Sequence, residues 1–499
     1  MRVRRSVALS IMLMGCGSKD AVPPAPTANP KVPVEPASPG EDQDEPPVAT
    51  PAAFPDWTRS LELTRTVAVR LEPGDDAKRI GTVAVDTRVR WKRTADGKGC
   101  KKPWVEVEPR GWVCSDYMAP SKKAPMGREV PMLDRGELVP GIYGKVVAPS
   151  PVTFALQKPE VKKGKKDKDK GKGGPITSTL QVEDVAAGLK MIESRPIVGS
   201  VNVRQYEELV VGGKQYWKIS QKENEYVLRS AVSQHKPSLY NGARLGDDTG
   251  RGIPIAFVWP RAGMKSTYTM NKPTGGGVAR PTMLARTPVS ILETHSDKVG
   301  KPIAYRIGEA EWIRASDVRV FTPAPPPPLL REGERWIDVD LDHQILVAFE
   351  GELPVYATMV SSGTKDTPTE TGVYRMWLKE SESDMKGLSG EDPYSVATVP
   401  WTQFFSPEKG LALHTAYWHD KFGTTRSHGC VNVAPKDARW LYFWSDPQVP
   451  PGWTMAAGVI EAPGSIVRVR TAAEPTPPLR GYAIKVDEVR RMNAPASTR

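Results

Sequence analysis

A short segment near the carboxyl end constrains this 499-residue chain more than any other feature. Residues 427–432 have the sequence Ser-His-Gly-Cys-Val-Asn, and His414 lies 13 residues before this segment begins. The window 414–430 holds three of the six histidines and one of the four cysteines. A thiol, an imidazole that can take its proton, and a glycine that lets backbone approach a substrate are the parts of a covalent acyl-transfer site.

Length and composition predict several folded domains joined by extended segments. At about 100–200 residues per domain, the chain has room for three or four domains. The hydrophobic fraction of 39% is low, and 49 prolines are about twice the usual number. Residues 158–172 hold eight lysines and three acidic residues, which contribute +5 to the net charge of +11. This run is typical of a solvated loop, with contact to an anionic wall polymer or lipid head groups as the alternative.

The amino-terminal residues have the pattern of a secretory signal. Residues 1–16 combine three arginines with an apolar run that is too short for a spanning helix. The ending Leu-Met-Gly-Cys resembles a bacterial lipobox, which implies cleavage before Cys16 and acylation of its thiol. Plain secretion and an uncleaved anchor are the alternatives. The proline-rich residues 17–57 that follow predict an extended tether.

The remaining cysteines fall into two groups. Export would permit disulfide formation, and Cys100 and Cys114 flank short strands that predict a hairpin. A bond between them would close a loop of about 15 residues, worth about 3 kcal/mol in the chain-entropy model. Two buried thiols are the alternative. With Cys16 acylated and this pair bonded, Cys430 is the thiol left for chemistry.

Three copies of one ending divide the middle of the chain. In each copy an aromatic-aliphatic strand is followed by a short turn, at 111–117, 225–232 and 311–318. Short alternating strands between Gly, Asp and Lys turns predict small antiparallel barrels, and the closing pattern resembles bacterial SH3-type modules. We predict modules at 58–122, at 123–240 with a Lys-rich loop at 158–175, and at 241–321. Their aromatic residues are expected either in core packing or in a wall-binding groove.

A proline-rich linker at 322–331 separates these modules from a region of different character. Residues 332–471 predict a meander of strands, with one helix at 436–444 for which Pro435 is well placed at the first turn. The tail at 472–499 is expected to be loosely ordered. The predicted fold class is therefore mainly β.

Residues 334–470 resemble the catalytic domain of the YkuD-type L,D-transpeptidases. Besides Ser-His-Gly-Cys, the matching features are opening strands at 336–339, a Thr-Pro turn at 367–372 and the histidine segment at 414–418. The resemblance implies a β-sandwich with one short helix near the catalytic cysteine.

The resemblance also implies roles for the residues of the window. Cys430 is the expected nucleophile, His414 its base, and the backbone carbonyl of Thr415 the group that orients the imidazole. Backbone N–H groups of Gly429 and Cys430 are expected to form the oxyanion hole. Ser427 is expected to fix the turn, and His428 and Asn432 to shape and orient the site.

Several alternatives stand beside these assignments. His428 is two residues from Cys430 and would share a strand face with it, so proximity also allows His428 as the base. A zinc site would use His414, His419, His428 and Cys430, which lack the close paired spacing of structural sites. His419 is otherwise expected as a surface or gate residue, and the charged segment 380–393 as either a lid over the thiol or a surface loop.

The function implied by the resemblance is peptidoglycan L,D-transpeptidation in the cell envelope. Cys430 would form a thioester with a stem tetrapeptide, release D-Ala and pass the acyl group to a second stem in a 3→3 cross-link. Stem peptides and, through the anchor, a membrane facing the periplasm or wall are the expected partners; no nucleic acid, metal or organic cofactor is expected. Water or a protein lysine as acceptor would instead give a carboxypeptidase, or an enzyme that cuts proteins from the wall or anchors them to it. A non-catalytic wall-binding scaffold is the alternative from another class.

Overall fold

The computed structural model describes residues 54–157, 189–275, 278–387 and 393–493. The expected signal segment with Cys16, most of the expected tether and the Lys-rich loop lie outside these ranges. Within them, strands dominate and two α-helices are present, so the expected mainly β fold is confirmed. The described part of the chain contains no helix with the length and apolar character that crossing a bilayer requires.

Three successive repeats of eight strands precede the last region. The first repeat comprises β1 (Ser60–Leu63), β2 (Val67–Arg70), β3 (Arg79–Val83), β4 (Arg88–Val89), β5 (Trp91–Ala95), β6 (Trp104–Val107), β7 (Trp112–Cys114) and β8 (Met118–Ser121). The second comprises β9 (Ile142–Val146), β10 (Val152–Gln157), β11 (Lys190–Pro196), β12 (Ser200–Gln205), β13 (Glu207–Val211), β14 (Lys214–Lys218), β15 (Tyr226–Leu228) and β16 (Val232–Gln234). After β17 (Ala243–Arg244), the third comprises β18 (Ile255–Val258), β19 (Ser266–Met270), β20 (Ala279–Leu284), β21 (Pro288–Ser290), β22 (Glu293–Ser296), β23 (Pro302–Gly308), β24 (Glu311–Arg314) and β25 (Val318–Val320).

The three repeats share one topology. In each, the first strand pairs with the fourth and the eighth, and the other five form a sheet in the order 3-2-7-6-5. A 3-10 turn joins the seventh strand to the eighth, at Ser115–Tyr117, Arg229–Ala231 and Ala315–Asp317. The repeated sequence endings therefore adopt the same local structure, while the likeness to SH3-type modules stays a prediction.

The closing strands of the repeats use their aromatic residues for packing. Trp112, Tyr226 and Trp312 are all buried in the interiors of their repeats, which favours the core-packing interpretation over a wall-binding groove. In the first repeat, a disulfide joins Cys100 to Cys114, with 5.6 Å between the two Cα atoms.

The last region is a two-sheet sandwich. Its strands are β26 (Arg335–Asp340), β27 (Ile345–Glu350), β28 (Leu353–Met359), β29 (Gly372–Arg375), β30 (Leu378–Gly387), β31 (Tyr394–Ser406), β32 (Leu411–Thr415), β33 (Val431–Val433), β34 (Trp453–Ala457) and β35 (Ile466–Arg470). One sheet has the order β17-β28-β27-β26-β35-β29; in the other, β31 pairs with β30 and β32, and β33 pairs with β32. Apolar side chains from both sheets, such as Val339 and Leu413, meet in one buried cluster.

Two helices complete the region. Helix α1 (Pro435–Trp444) begins one residue before the predicted helix and packs against β31 and β32. Helix α2 (Tyr482–Met492) lies in the expected tail, where Ala483 and Val486 are buried. The expectation of loose order is therefore wrong for this segment, because the apolar positions of α2 reach the protein interior.

Strand β31 brings the second repeat beside the sandwich. One edge of β31 pairs with β30; on the other edge, β12 pairs in parallel with residues 394–396 and β32 pairs with residues 403–406. Strands from distant parts of the sequence thus share one edge. On the far side of the same sheet, β3 of the first repeat pairs with β34.

A buried carboxylate of β26 bridges two arginines of β35. Asp338 is fully buried and accepts hydrogen bonds from Arg468, at 3.0 and 2.7 Å, and from Arg470, at 3.0 and 2.9 Å. Removing one partner of such a group leaves buried charge without compensation, which is far more costly than losing a surface ion pair.

We expect Asp338→Asn to lower the free energy of unfolding by about 3–5 kcal/mol, because both guanidinium groups lose their counter-charge. Urea denaturation of the purified protein measures this change. Glu293→Gln is the matched control, because the Glu293–Arg306 pair is solvent-exposed and should contribute less than about 1 kcal/mol. Equal effects of the two substitutions would contradict the expectation.

Candidate active site

A cavity of about 310 Å³ lies where β32 and β33 meet the β30–β31 hairpin and the second repeat. Five of the seven motif residues singled out from the sequence line it: His414, Ser427, His428, Cys430 and Asn432. The structure therefore gathers these residues around one space. The other two, Thr415 and Gly429, contribute backbone groups.

Parallel pairing of β32 with β33 positions the imidazole and the thiol. His414 lies opposite Asn432 in the ladder, and Cys430 immediately precedes the first paired residue, Val431. His414 and Cys430 are only 2% and 1% exposed. Both groups are thus held by strand backbone and removed from bulk water.

The imidazole of His414 has a defined tautomer. Its Nδ1 lies 3.0 Å from the Thr415 carbonyl oxygen, which can only accept a hydrogen bond. Nδ1 therefore carries the proton, and Nε2 is left as the acceptor. Burial lowers the pKa of His414 to about 4, against a smaller opposing effect of the Thr415 carbonyl. The ring is neutral at physiological pH and able to take a proton.

The loop before Cys430 is held by a serine hydroxyl. Ser427 Oγ accepts a hydrogen bond from the Gly429 N–H at 3.1 Å and donates one to the Cys430 carbonyl. Gly429 has φ = +123°, in the region that favours glycine, and a Cβ there would lie 3.0 Å from Leu411. Ser427 thus has the contacts of a residue that fixes the turn.

This hydrogen bond corrects one expectation about the oxyanion hole. The Gly429 N–H is engaged by Ser427 Oγ and is not available to a developing oxyanion in this arrangement. The oxyanion role expected of the Cys430 N–H stays a prediction.

Two threonines of the Thr-Pro turn also hold the loop. Thr369 Oγ1 donates to the Gly429 carbonyl at 2.7 Å and accepts from the Gly363 N–H at 2.9 Å. Thr367 Oγ1 donates to the Ser427 carbonyl at 3.2 Å. The sequence pattern predicts this turn but no role for it in the site, because folding alone brings it close to the motif.

The charged segment 380–393 is a strand rather than a free loop or lid over most of its described length. Residues 380–387 belong to β30, which pairs with β31 in a hairpin, and 388–392 lie outside the described residues. Tyr394, at the start of β31, stacks on His428 with ring centroids 4.3 Å apart and an interplanar angle of 15°. His428, stacked on Tyr394, therefore forms part of the cavity wall.

His419 lies in the site beside Asn432. Its Nδ1 accepts a hydrogen bond from the Lys421 N–H at 3.1 Å, and its Nε2 lies 3.0 Å from the Asn432 amide nitrogen. Burial, with a smaller contribution from Arg426, lowers the pKa of His419 to about 4. His419, expected as a surface or gate residue, therefore lines the cavity in contact with a motif residue.

The arrangement does not favour the zinc alternative. No three of the candidate ligands His414, His419, His428 and Cys430, all of them described, place their ligand atoms within 4.8 Å of one another.

The second repeat supplies part of the cavity wall. Lys145, Ser200, Asn202 and His235 line it together with the motif residues. None of them was predicted in the site, because no local sequence pattern connects a residue near position 200 with a cysteine at 430.

Comparison with known proteins covers the last region. Residues 334–469 match the family model described as the L,D-transpeptidase catalytic domain, YkuD. YciB of Bacillus subtilis, named as a candidate L,D-transpeptidase, is 28% identical over 129 residues, which cover 23% of this chain and 63% of YciB. L,D-transpeptidase 2 of Mycobacterium tuberculosis is 31% identical over 105 residues, covering 20% and 25% respectively. The chain thus spans less than two thirds of either relative.

Two solved structures match larger shares of this chain, 29% and 48%. A cysteine-to-serine mutant of the Enterococcus faecium L,D-transpeptidase is 26% identical, covering 29% of this chain and 51% of that one, with a TM-score of 0.23. The L,D-transpeptidase from Mycobacterium smegmatis is 17% identical, covering 48% and 89%, with the same TM-score.

The family match and the motif geometry coincide on one part of the chain. The match at 334–469 contains Cys430, His414 and all the loop contacts described above. The part of the chain that holds the candidate site is therefore the part that is similar to L,D-transpeptidase catalytic domains of the YkuD type.

Proposed function

We propose that this protein is a peptidoglycan L,D-transpeptidase that uses Cys430 as its nucleophile. The observation that carries the proposal is that a buried thiol and a buried, neutral imidazole line one cavity, with the Nδ1–H of the imidazole held by the Thr415 carbonyl. In a protonated imidazole neither nitrogen could accept the thiol proton, whereas this tautomer offers Nε2.

The first half of the reaction forms a thioester. His414 Nε2 takes the thiol proton as Cys430 Sγ attacks the carbonyl carbon between the third and fourth residues of a stem tetrapeptide. The oxyanion accepts a hydrogen bond from the Cys430 N–H, an interaction whose loss typically costs about 3–4 kcal/mol. The tetrahedral intermediate then collapses: the C–N bond breaks, the imidazolium returns its proton to the departing amine, and D-Ala leaves.

The second half transfers the acyl group. A side-chain amine of another stem attacks the thioester, loses a proton to His414 and forms the new amide bond, while the thiolate regains a proton. The product is a 3→3 cross-link. Water in place of the amine would give a tripeptide, so the acceptor decides between transpeptidase and hydrolase.

We further propose that the enzyme works in the cell envelope as a lipoprotein. The support is the lipobox-like sequence at 13–16, where Cys16 follows a basic and then an apolar stretch. The proline-rich residues that follow would separate the first repeat from the membrane surface.

We expect Cys430→Ala to abolish the covalent adduct with a stem tetrapeptide, because the substitution removes the attacking sulfur. His414→Gln should slow thioester formation by about 10²–10⁴-fold through loss of the general base. Intact-protein mass spectrometry during incubation with muropeptides measures both.

His428→Gln is the matched control for His414→Gln, since His428 lines the same cavity but stacks on Tyr394. It should slow the reaction by less than about tenfold, below the range for a lost base. Dimeric products would support transpeptidation and tripeptides alone the hydrolase. A wild-type protein that forms no adduct at Cys430 would overturn the proposal.

The lowered pKa of His414 sets the expected pH dependence. Because its pKa is about 4, the imidazole is still mostly neutral at pH 5. Thus kcat/KM for thioester formation should change by no more than about twofold between pH 7 and pH 5, whereas a base with the ordinary pKa of about 6.5 would lose activity about 20-fold. A profile falling with a midpoint near pH 6.5 would contradict the assignment of His414 as a buried base.

We expect the protein expressed in a bacterial host to incorporate a radiolabelled fatty acid and to partition with membranes. Cys16→Ser should lose both properties because acylation requires the thiol. The Cys430→Ala variant is the control and should retain the label. Labelling of the Cys16→Ser variant would contradict lipidation at this site.

A further inference from the structure

The second repeat is joined to the catalytic domain by strand pairing. In the parallel ladder between β12 and β31, Ser200 lies opposite Tyr394 and Asn202 opposite Val396. The Ser200 N–H donates a hydrogen bond to the Pro393 carbonyl at 2.9 Å. Because backbone hydrogen bonds set this register, the strand holds a defined position beside the site.

Side chains extend the contact toward the catalytic histidine. Tyr143 stacks on Tyr417, three residues after His414, with ring centroids 4.1 Å apart. Arg204 forms an ion pair with Glu382 of β30, and both side chains are largely buried, at 17% and 26% exposed. The second repeat is therefore packed against the catalytic domain on both sides of β31.

The face that the repeat turns to the cavity is polar. His235 Nε2 lies 2.7 Å from Asn202 Oδ1, so the neutral ring donates its Nε2–H to this amide oxygen. Burial lowers the pKa of His235 to about 4, with a smaller effect of Lys145. The pair thus forms a neutral, hydrogen-bonded part of the cavity wall. Lys145 is the positively charged residue that the repeat contributes to the cavity lining.

The charges around the cavity have one sign. Lys145 from the second repeat and Arg426 from the motif loop both line it, and no Asp or Glu side chain is among the described lining residues. Two cations contributed by two domains, without a neighbouring carboxylate, favour an anionic group in the space between them.

We propose that Lys145, supported by the Asn202–His235 pair, binds the carboxyl-terminal carboxylate of a substrate peptide in the catalytic cavity. This inference rests on the proposed function, under which the substrate is a peptide with free carboxylates. The second repeat would then be part of the substrate-binding site of the enzyme rather than only a module that binds the wall at a distance.

The carboxylate that binds Lys145 could belong to either of two peptides. One is the donor, whose acyl group is transferred, and the other is the acceptor. Thioester formation without an acceptor isolates the first. Tetrapeptides ending in a free carboxylate or in an amide are compared in this half-reaction, and the acceptor is then varied in the full reaction.

The variants are Lys145→Ala, Lys145→Arg and, as a matched control, Lys236→Ala, which removes an exposed lysine of the same repeat outside the cavity lining. We expect Lys145→Ala to raise the half-saturating concentration of the free-carboxylate donor about fivefold, with the limiting rate unchanged. The amidated donor should bind the variant and the wild type equally. Lys145→Arg should restore most of the affinity, and Lys236→Ala should change nothing.

The outcomes separate this inference from the proposed function. A wild-type protein that forms no thioester overturns the function itself. If the wild type forms the thioester and Lys145→Ala changes the dependence on neither donor nor acceptor concentration, only the inference is overturned. A Lys145→Ala effect confined to the acceptor concentration supports the inference and assigns the carboxylate to the acceptor. An equal loss with the carboxylate and amide donors also overturns it, because a structural role would not distinguish them.

Discussion

The parallel pairing of β32 with β33 is the contact on which the rest of the site depends. A ladder of three residue pairs places His414 opposite Asn432 and puts Cys430 directly before the paired segment. Parallel neighbours need a connection of about a dozen residues or more, because the chain must return to the same end of the sheet. Residues 416–430 provide that connection, so the spacing between the histidine and the motif is a requirement of the topology.

Neutral groups, more than charges, organise the surroundings of the thiol. Hydroxyls of Ser427, Thr367 and Thr369 hold the loop through its backbone, and the Thr415 carbonyl selects the histidine tautomer. In a buried cavity such bonds satisfy polar groups without the desolvation cost of an ion pair. The same burial keeps His414 neutral, and the proposed chemistry depends on that neutrality.

Much of the site could be read from local pattern, because its central residues lie close together in sequence. The motif and His414 fall within one window of the sequence. Hydrogen-bond partners were harder to predict from the sequence. The Gly429 N–H was expected to bind the oxyanion, but it donates to Ser427 Oγ. A side-chain rotamer decides that contact, and sequence does not specify rotamers. Helix α2 was missed for a related reason, since few residues anchor it and its partners lie far away.

The sequence by itself indicated the chemistry proposed for this protein: a cysteine and histidines in one window, a mainly β region that contains them, and three repeated endings upstream of it. Each of these rests on neighbours in the chain or on a repeated pattern. Tertiary structure alone decided that β12 shares an edge of β31 with β32, and so that Lys145 and Asn202 face the same cavity as Cys430. The physical reason is that strands pair through backbone groups, which are common to every residue. Side-chain patterns therefore carry little information about which strand pairs with the edge of β31.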